Sequence, residues 1–355
     1  MTAKSSQRTK HLLRSFAFIC LLAFCAAAAV FALWYQDNRK GNFNSYAEVY
    51  IYPGTDASRA MEIIDSKAGV KNLRSLMRSF KDKQVDSFIT PGHYSIQPTH
   101  SSVYVARMLN NGWQTPVRLT LEGNLRLKSG IASKISSQLL LDSLEVLRAL
   151  DDEKLLSEYG FTPQDAFSLL VPATYQVYWT ASMKDFFDIQ KKAYEAFWTA
   201  GNDAKAASLG LSRKQVSILA SIVKGETNYV PEMPKIAGVY LNRLSKGMLL
   251  QADPTVAFCF DYKPNRILNK HLKVDSPYNT YIHPGLPPGP ICVPTKEALE
   301  AVLNPDYGSD TRGQGNFYFC ANPDFTRTHV FARTLSEHNR NAEAFRAELN
   351  RRSRH

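Results

Sequence analysis

The sequence predicts an α+β protein in four consecutive parts: an N-terminal transmembrane helix, a small α+β unit, a helical connector and a C-terminal α+β region. Three observations lead there. Residues 16–35 form a 20-residue run without a charge. Short strand-like and helix-like segments alternate over residues 46–124. Helical periodicity then dominates residues 125–205, and residues 206–350 are dense in glycine, proline and aromatic motifs. Composition permits such a plan. Of 355 residues, 44% are apolar and 21% charged, which fits a globular core and excludes wholesale disorder, a collagen-like chain or a disulfide-dense scaffold. There is no repeat of solenoid period.

The apolar run reads FAFICLLAFCAAAAVFALWY. As a helix it is about 30 Å long, the thickness of a bilayer's hydrocarbon core. Lys4, Arg8, Lys10 and Arg14 precede it without an acid, and Trp34 and Tyr35 stand where an interfacial anchor belongs. The positive-inside rule puts residues 1–15 in the cytoplasm as a basic tail. It puts everything after about Gln36 outside the plasma (cell inner) membrane, in the periplasmic or extracytoplasmic space. A cleaved signal peptide is the alternative, since Ala26 to Ala29 are small. Val30, Phe31, Leu33 and Trp34 extend the run past that point and favour an uncleaved single-pass anchor. Lipoprotein processing fits less well, because bulky Phe24 precedes Cys25. The formal net charge of +11 suits a polyanion: nucleic acid, lipid headgroups or an acidic wall polymer. The topology disfavours nucleic acid. Cys259, Cys292 and Cys320 lie beyond the apolar run at spacings that match no zinc ligand set. Buried free thiols are the first expectation and a Cys292–Cys320 disulfide the alternative.

Residues 37–45 read as a polar linker. The unit after it predicts a strand over 49–52, a helix over 57–67 with Thr55 and Ser58 as candidate caps, and a helix over 70–80. A turn at Pro91-Gly92, a strand over 93–96, a helix over 102–110 and a strand over 115–121 complete it. The strand–helix–helix–strand order resembles a LysM-like fold, a small module for N-acetylglucosamine polymers. The connector, residues 125–205, is helical in pattern with an interruption over 170–175, and reads as core.

Chemistry concentrates after Leu211. Ser212 and Gln215 have the form of a capping box. The helix behind them continues Val216, Leu219, Ala220, Ile222 and Val223 as one apolar stripe, and Glu226 falls on that stripe. A carboxyl group there is costly to ionise, which raises its pKa toward the range of a general acid at neutral pH. Gly225 reads as clearing space for a ligand. The plainer alternative is a glutamate at a frayed helix end paired with a cation. A second helix is predicted over 232–246, with Ile236, Val239, Tyr240 and Leu244 on one face and Gly247 as its C-terminal glycine. Loops follow at 249–255, 278–281 and 285–291, the last stiffened by three prolines. Rigid loops with aromatic and amide side chains suit the walls of a sugar cleft. His329 and His338, nine residues apart in the chain, match no common ligand spacing, so a structural or substrate-contacting role is expected, with no metal and no cofactor.

Six segments occur in order: Ser221-Ile-Val-Lys-Gly-Glu-Thr227, Asn242-Arg-Leu244, Gln251-Ala-Asp-Pro-Thr255, Pro277-Tyr-Asn-Thr-Tyr281, Gly285-Leu-Pro-Pro-Gly289 and Ser336-Glu-His338. Together they resemble the YceG-like family of endolytic murein transglycosylases over nearly the whole chain. The resemblance implies cleavage of the MurNAc–GlcNAc β-1,4 bond within peptidoglycan strands, leaving 1,6-anhydro-MurNAc ends. It maps the family's catalytic glutamate onto Glu226, as general acid and then base. Family members usually carry an acidic and then a basic residue before that glutamate; here Lys224 and Gly225 stand there, and Lys224 would lower its pKa if close. Gln251, Asp253, Asn279, Tyr281 and Asn242 are the candidate substrate contacts, with Asp253 also a loop organiser before Pro254. The resemblance also implies work beside peptidoglycan synthases, terminating nascent strands. Two alternatives remain open: a muramidase that uses water with Asp253 as second carboxylate (Asp261 and Asp275 being weaker candidates), and a non-catalytic wall-binding scaffold.

Overall fold

The computed structural model describes residues 2–123 and 125–352, with residues 2–10 and 12 by backbone alone. The chain forms two units: one comprises the chain to Val117 with Gln176–Thr180, the other Arg118–Tyr175 with the chain from Ala181 onward.

The first unit runs α1 (Thr2–Asn38), β1 (Ala47–Ile51), α2 (Ala57–Ala68), α3 (Leu73–Asp82), α4 (Val85–Phe88), β2 (Gly92–Ile96) and α5 (Ser102–Asn110). Leu13–Asn38 of α1 are long and apolar enough to cross a membrane, and their apolar side chains are exposed. Because α1 runs to Asn38, the polar linker begins two residues later than its composition suggests. β1 and β2 are antiparallel, with Val49 opposite Tyr94. Alternate residues of β1 are buried, as in a strand with one face on a core. Phe43, Ile64, Leu76, Tyr94 and Leu109 fill that core. The cap of α2 is Asp56, whose carboxylate accepts the Arg59 N–H at 2.7 Å; neither Thr55 nor Ser58 serves. Asn72 and Ser101 cap α3 and α5. At the end of α1, buried Asp37 accepts hydrogen bonds from Ser75 Oγ at 2.6 Å and from Arg78 Nη2 at 2.7 Å.

The chain enters the second unit within β3 (Val117–Thr120), re-enters the first within β4 (Thr174–Val177), and leaves it after Thr180. Between those strands lie α6 (Lys128–Ser136), α7 (Ser143–Asp151) and α8 (Glu153–Glu158). After them come α9 (Met183–Phe197), α10 (Ala200–Ser208), α11 (Arg213–Glu226), α12 (Met233–Ser245), α13 (Asp253–Cys259) and α14 (Lys296–Leu303). A hairpin of β5 (Tyr318–Ala321) and β6 (His329–Ala332) and then α15 (Leu335–Arg352) close the unit. The expected capping box at Ser212 is present. α11 is more than amphipathic: every residue from Val216 to Val223 is buried, so it is the core helix against which α12, α13 and α14 pack. The interruption over 170–175 contains the start of β4. All five cysteines are unpaired. The buried Cys292 thiol lies 3.4 Å from the Ser221 carbonyl oxygen.

Candidate active site

Glu226 is the last residue of α11. The Thr227 N–H still bonds the Val223 carbonyl at 3.2 Å, but Thr227 itself is extended, so the helix stops there. A Cβ at Gly225 would lie 2.6 Å from Pro254 Cβ. The glycine thus admits the first turn of α13 rather than a ligand, which corrects the expectation for it. That approach brings Asp253 into the same cavity as Glu226. The cavity holds about 330 Å³ and is lined by Glu226, Tyr240, Arg243, Gln251, Asp253 and Tyr281, together with Leu250, Phe319 and His338.

Tyr240 and Arg243, three residues apart on α12, project to one side. The Tyr240 hydroxyl donates to Glu226 Oε1 at 2.5 Å. Burial, and then the Glu226 charge, push the Tyr240 pKa well above 10, so the phenol stays protonated and remains a donor. Burial raises the Glu226 pKa to about 7. The Asp253 charge adds to the rise, while the Tyr240 bond and the Arg243 charge oppose it. The Arg243 guanidinium donates to Phe317 O at 2.6 Å and Leu250 O at 2.8 Å, pinning the hairpin and the Gln251 loop to α12. Tyr281 donates to Asp253 Oδ1 at 2.6 Å. Gln251 has a left-handed φ of 51° and its N–H bonds the Thr280 carbonyl at 3.0 Å, a strained backbone that turns its amide to the cavity rim. The His338 ring stacks on Tyr318 with centroids 5.5 Å apart. Burial, then the Arg243 charge, lower its pKa, so it is neutral at pH 7. Its Nδ1 has no hydrogen-bond partner among the described residues.

A pocket with one carboxyl poised near neutrality, a second carboxylate beside it and polar walls suits proton transfer to a polar polymer. The profile of the YceG-like family matches residues 49–344. The chain belongs to the YceG-like family. It is 26% identical over 322 residues to a Bacillus subtilis protein named endolytic murein transglycosylase, covering 85% of each chain. It is also 26% identical over 370 residues to a Streptococcus pneumoniae protein of the same name, covering 94% of this chain and 65% of that one. A crystal structure of a yceG-like protein from Listeria monocytogenes aligns with TM-score 0.53 and 28% identity, over 83% of this chain and 98% of that one.

Of the residues expected at the site, Glu226, Gln251, Asp253 and Tyr281 share the cavity. Asn242 and Asn279 do not line it. Both are fully buried. Asn242 donates to Asn316 O at 2.8 Å and accepts from the Gly313 N–H at 2.6 Å. Asn279 donates to Leu272 O and Val274 O, both at 2.9 Å. Their amides hold loops, so the structure does not bring them together with the other expected contacts. Lys224 turns away to Asn228 Oδ1 at 2.6 Å. His329 pairs with buried Glu232 at 3.0 Å. Sequence reasoning missed Tyr240, Arg243 and Phe319 as cavity residues. For Tyr240 a signal existed: a tyrosine on a buried stripe needs a partner for its hydroxyl, and half-buried Glu226 was the acceptor in need of a donor.

Proposed function

We propose that the protein is a membrane-anchored endolytic murein transglycosylase that cuts the MurNAc–GlcNAc β-1,4 bond inside peptidoglycan strands. The Glu226 carboxyl carries this reading. It sits near pH 7 between its acid and base forms, with Tyr240 bound to Oε1. Oε2 is then the oxygen that exchanges a proton. In the forward reaction Glu226 gives that proton to the leaving GlcNAc oxygen as the C1–O bond breaks. The MurNAc C6 hydroxyl next attacks C1 and returns its proton to Glu226, leaving a 1,6-anhydro end and consuming no water. The substrate's N-acetyl group can serve as internal nucleophile in between. Asp253, held by Tyr281, favours the protonated acid and offers negative charge to an oxocarbenium-like transition state. Gln251 and Arg243 supply donors for sugar oxygens. The chemistry calls for neither metal nor cofactor.

The names of the Bacillus and Streptococcus relatives support this activity. The apolar helix and the basic residues before it support a plasma-membrane anchor with a cytoplasmic N-terminus and a catalytic region, residues 206–350, outside. Antiparallel β1 and β2 flanking α2 and α3 support the LysM-like reading. Exposed Tyr50 and Tyr52 border a groove of about 500 Å³ there, a surface suited to sugar stacking. Strand termination beside peptidoglycan synthases is the corresponding cellular role.

One observation favours a second reading. Asp253 shares the cavity, so a water-using muramidase has its second carboxylate in place. Glu226→Gln tests both readings against a scaffold: strand cleavage should fall by about 10²–10⁴-fold with binding to sacculi retained. Unchanged cleavage would remove Glu226 from the reaction.

A further inference from the structure

Two segments lead from the Glu226 cavity to a larger one. α13 bears Asp253 at its first residue and Phe258 near its last, about 7.5 Å further along the axis. The loop that places Tyr281 in the first cavity places Tyr278 in the second. The rings of Phe258 and Tyr278 lie 4.6 Å apart and form part of the wall of a cavity of about 700 Å³. Pro290, from the stiff 285–291 segment, lines it too. Gly289 makes that approach possible, because a Cβ there would overlap the Gln164 carbonyl and lie 3.0 Å from the Tyr278 hydroxyl. Two motifs of the sequence, 277–281 and 285–289, thus serve this cavity as much as the first.

The charges of the cavity are unequally committed. Lys128 donates to Leu150 O and Pro163 O, each at 2.9 Å, and to the Asp151 carboxylate. Lys263 pairs with Asp261 at 3.0 Å with both side chains largely exposed, a contact that opens at little cost. Arg126 has no carboxylate partner among the described residues; its guanidinium lies 4.7 Å over the Tyr262 ring. Tyr262 is fixed by its hydroxyl's 2.6 Å bond to Ile291 O. Asp261 and Tyr262 both adopt left-handed φ, 52° and 56°. Two successive non-glycine residues in that region are strained, and such strain collects at ligand sites. Nothing in the Glu226 cavity uses it. It sets Tyr262 beneath Arg126 and Asp261 and Lys263 at the cavity.

We infer that this cavity is a second substrate subsite, which takes the carboxylate-bearing peptide carried by the murein strand. The inference rests on the transglycosylase reading and names what else of that substrate is recognised. The sugars of a peptide-bearing strand offer hydroxyls and amides, their lactyl carboxyls being tied up as the amides that carry the peptides, and have no use for an unpaired guanidinium. The peptides of murein present carboxylates, which arginine binds through two parallel N–H bonds. Arg126 takes the carboxylate, Lys263 joins it once released from Asp261, and the Phe258–Tyr278 wall packs the peptide's apolar part.

The test uses the full chain in detergent, as wild type, Arg126→Ala and Arg126→Lys. Each is given intact murein strands and the same strands stripped of peptide by an amidase, with the freed lactyl carboxylates capped as methylamides, and kcat/KM is measured for both. The ratio of peptide-bearing to peptide-free kcat/KM should fall about 10- to 100-fold in Arg126→Ala, the worth of one charged hydrogen-bonded contact. It should fall less in Arg126→Lys, which keeps a cation over Tyr262 but not the fork. A wild-type ratio in Arg126→Ala overturns the subsite. Should that variant fail to fold, a wild-type ratio in Arg126→Lys overturns it instead. The ratio judges the subsite whichever ends the products carry, and the ends judge the reaction. A wild type that cuts neither substrate removes both.

Discussion

The acid–base role proposed for Glu226 rests on how deeply its carboxyl is set and on the Tyr240 hydroxyl that donates to it. A general acid must start protonated, so the rate should hold below pH 7 and decline as pH rises through about 7, the raised Glu226 value. Two neighbours move that limb in opposite directions. The Asp253 charge raises the Glu226 pKa, so Asp253→Asn should shift the limb to lower pH. The Tyr240 bond lowers it, so Tyr240→Phe should shift the limb to higher pH. Profiles of kcat/KM against pH for the three proteins check both signs, and shifts in one common direction would break the assignment. The sequence singles out Glu226 as a candidate through its place on an apolar stripe, since periodicity reports which face is buried. It did not show Asn242 and Asn279 for what they are. An asparagine's residue type suits sugar and backbone equally, and only the fold decides which carbonyls lie within its reach.

At the scale of elements, helices were legible and their junctions were not. The capping box at Ser212, the Gly247 terminus and α5 were readable because each is written within a few residues. The four-residue strands β4, β5 and β6 carry too few residues for an alternating pattern to stand out, and β5 pairs with β6 across a loop whose geometry no local signal states. The Gly225–Pro254 contact belongs to this scale. Gly225→Ala should push α13 off the end of α11, at a cost of about 1–3 kcal/mol for overpacking, and displace Asp253. Thermal melting together with kcat measures it; a variant with wild-type melting and rate would mean the contact is slack. At the end of α1, Asp37→Ala would leave Arg78 and buried Ser75 without their acceptor. A loss of about 1.5–3 kcal/mol is expected in urea unfolding in detergent at pH 7.

For the whole molecule, the expected order of parts and the expected compartment rest on a few strong features of the sequence: the uncharged run, the basic residues before it, and the change of texture after Leu211. The division into two units does not, because the return of residues 176–180 to the first unit depends on contacts between segments far apart in the chain. The larger cavity was equally hidden, since its motifs read as turns until their side chains met around it. The central claim is that Glu226 breaks murein strands without water. Full-length wild type and Glu226→Gln are incubated with purified sacculi, and product ends are read by mass spectrometry. Anhydro-MurNAc ends from wild type, and almost none from Glu226→Gln, are the predicted result. Reducing MurNAc ends would contradict it and pass the reaction to a hydrolase that uses Asp253.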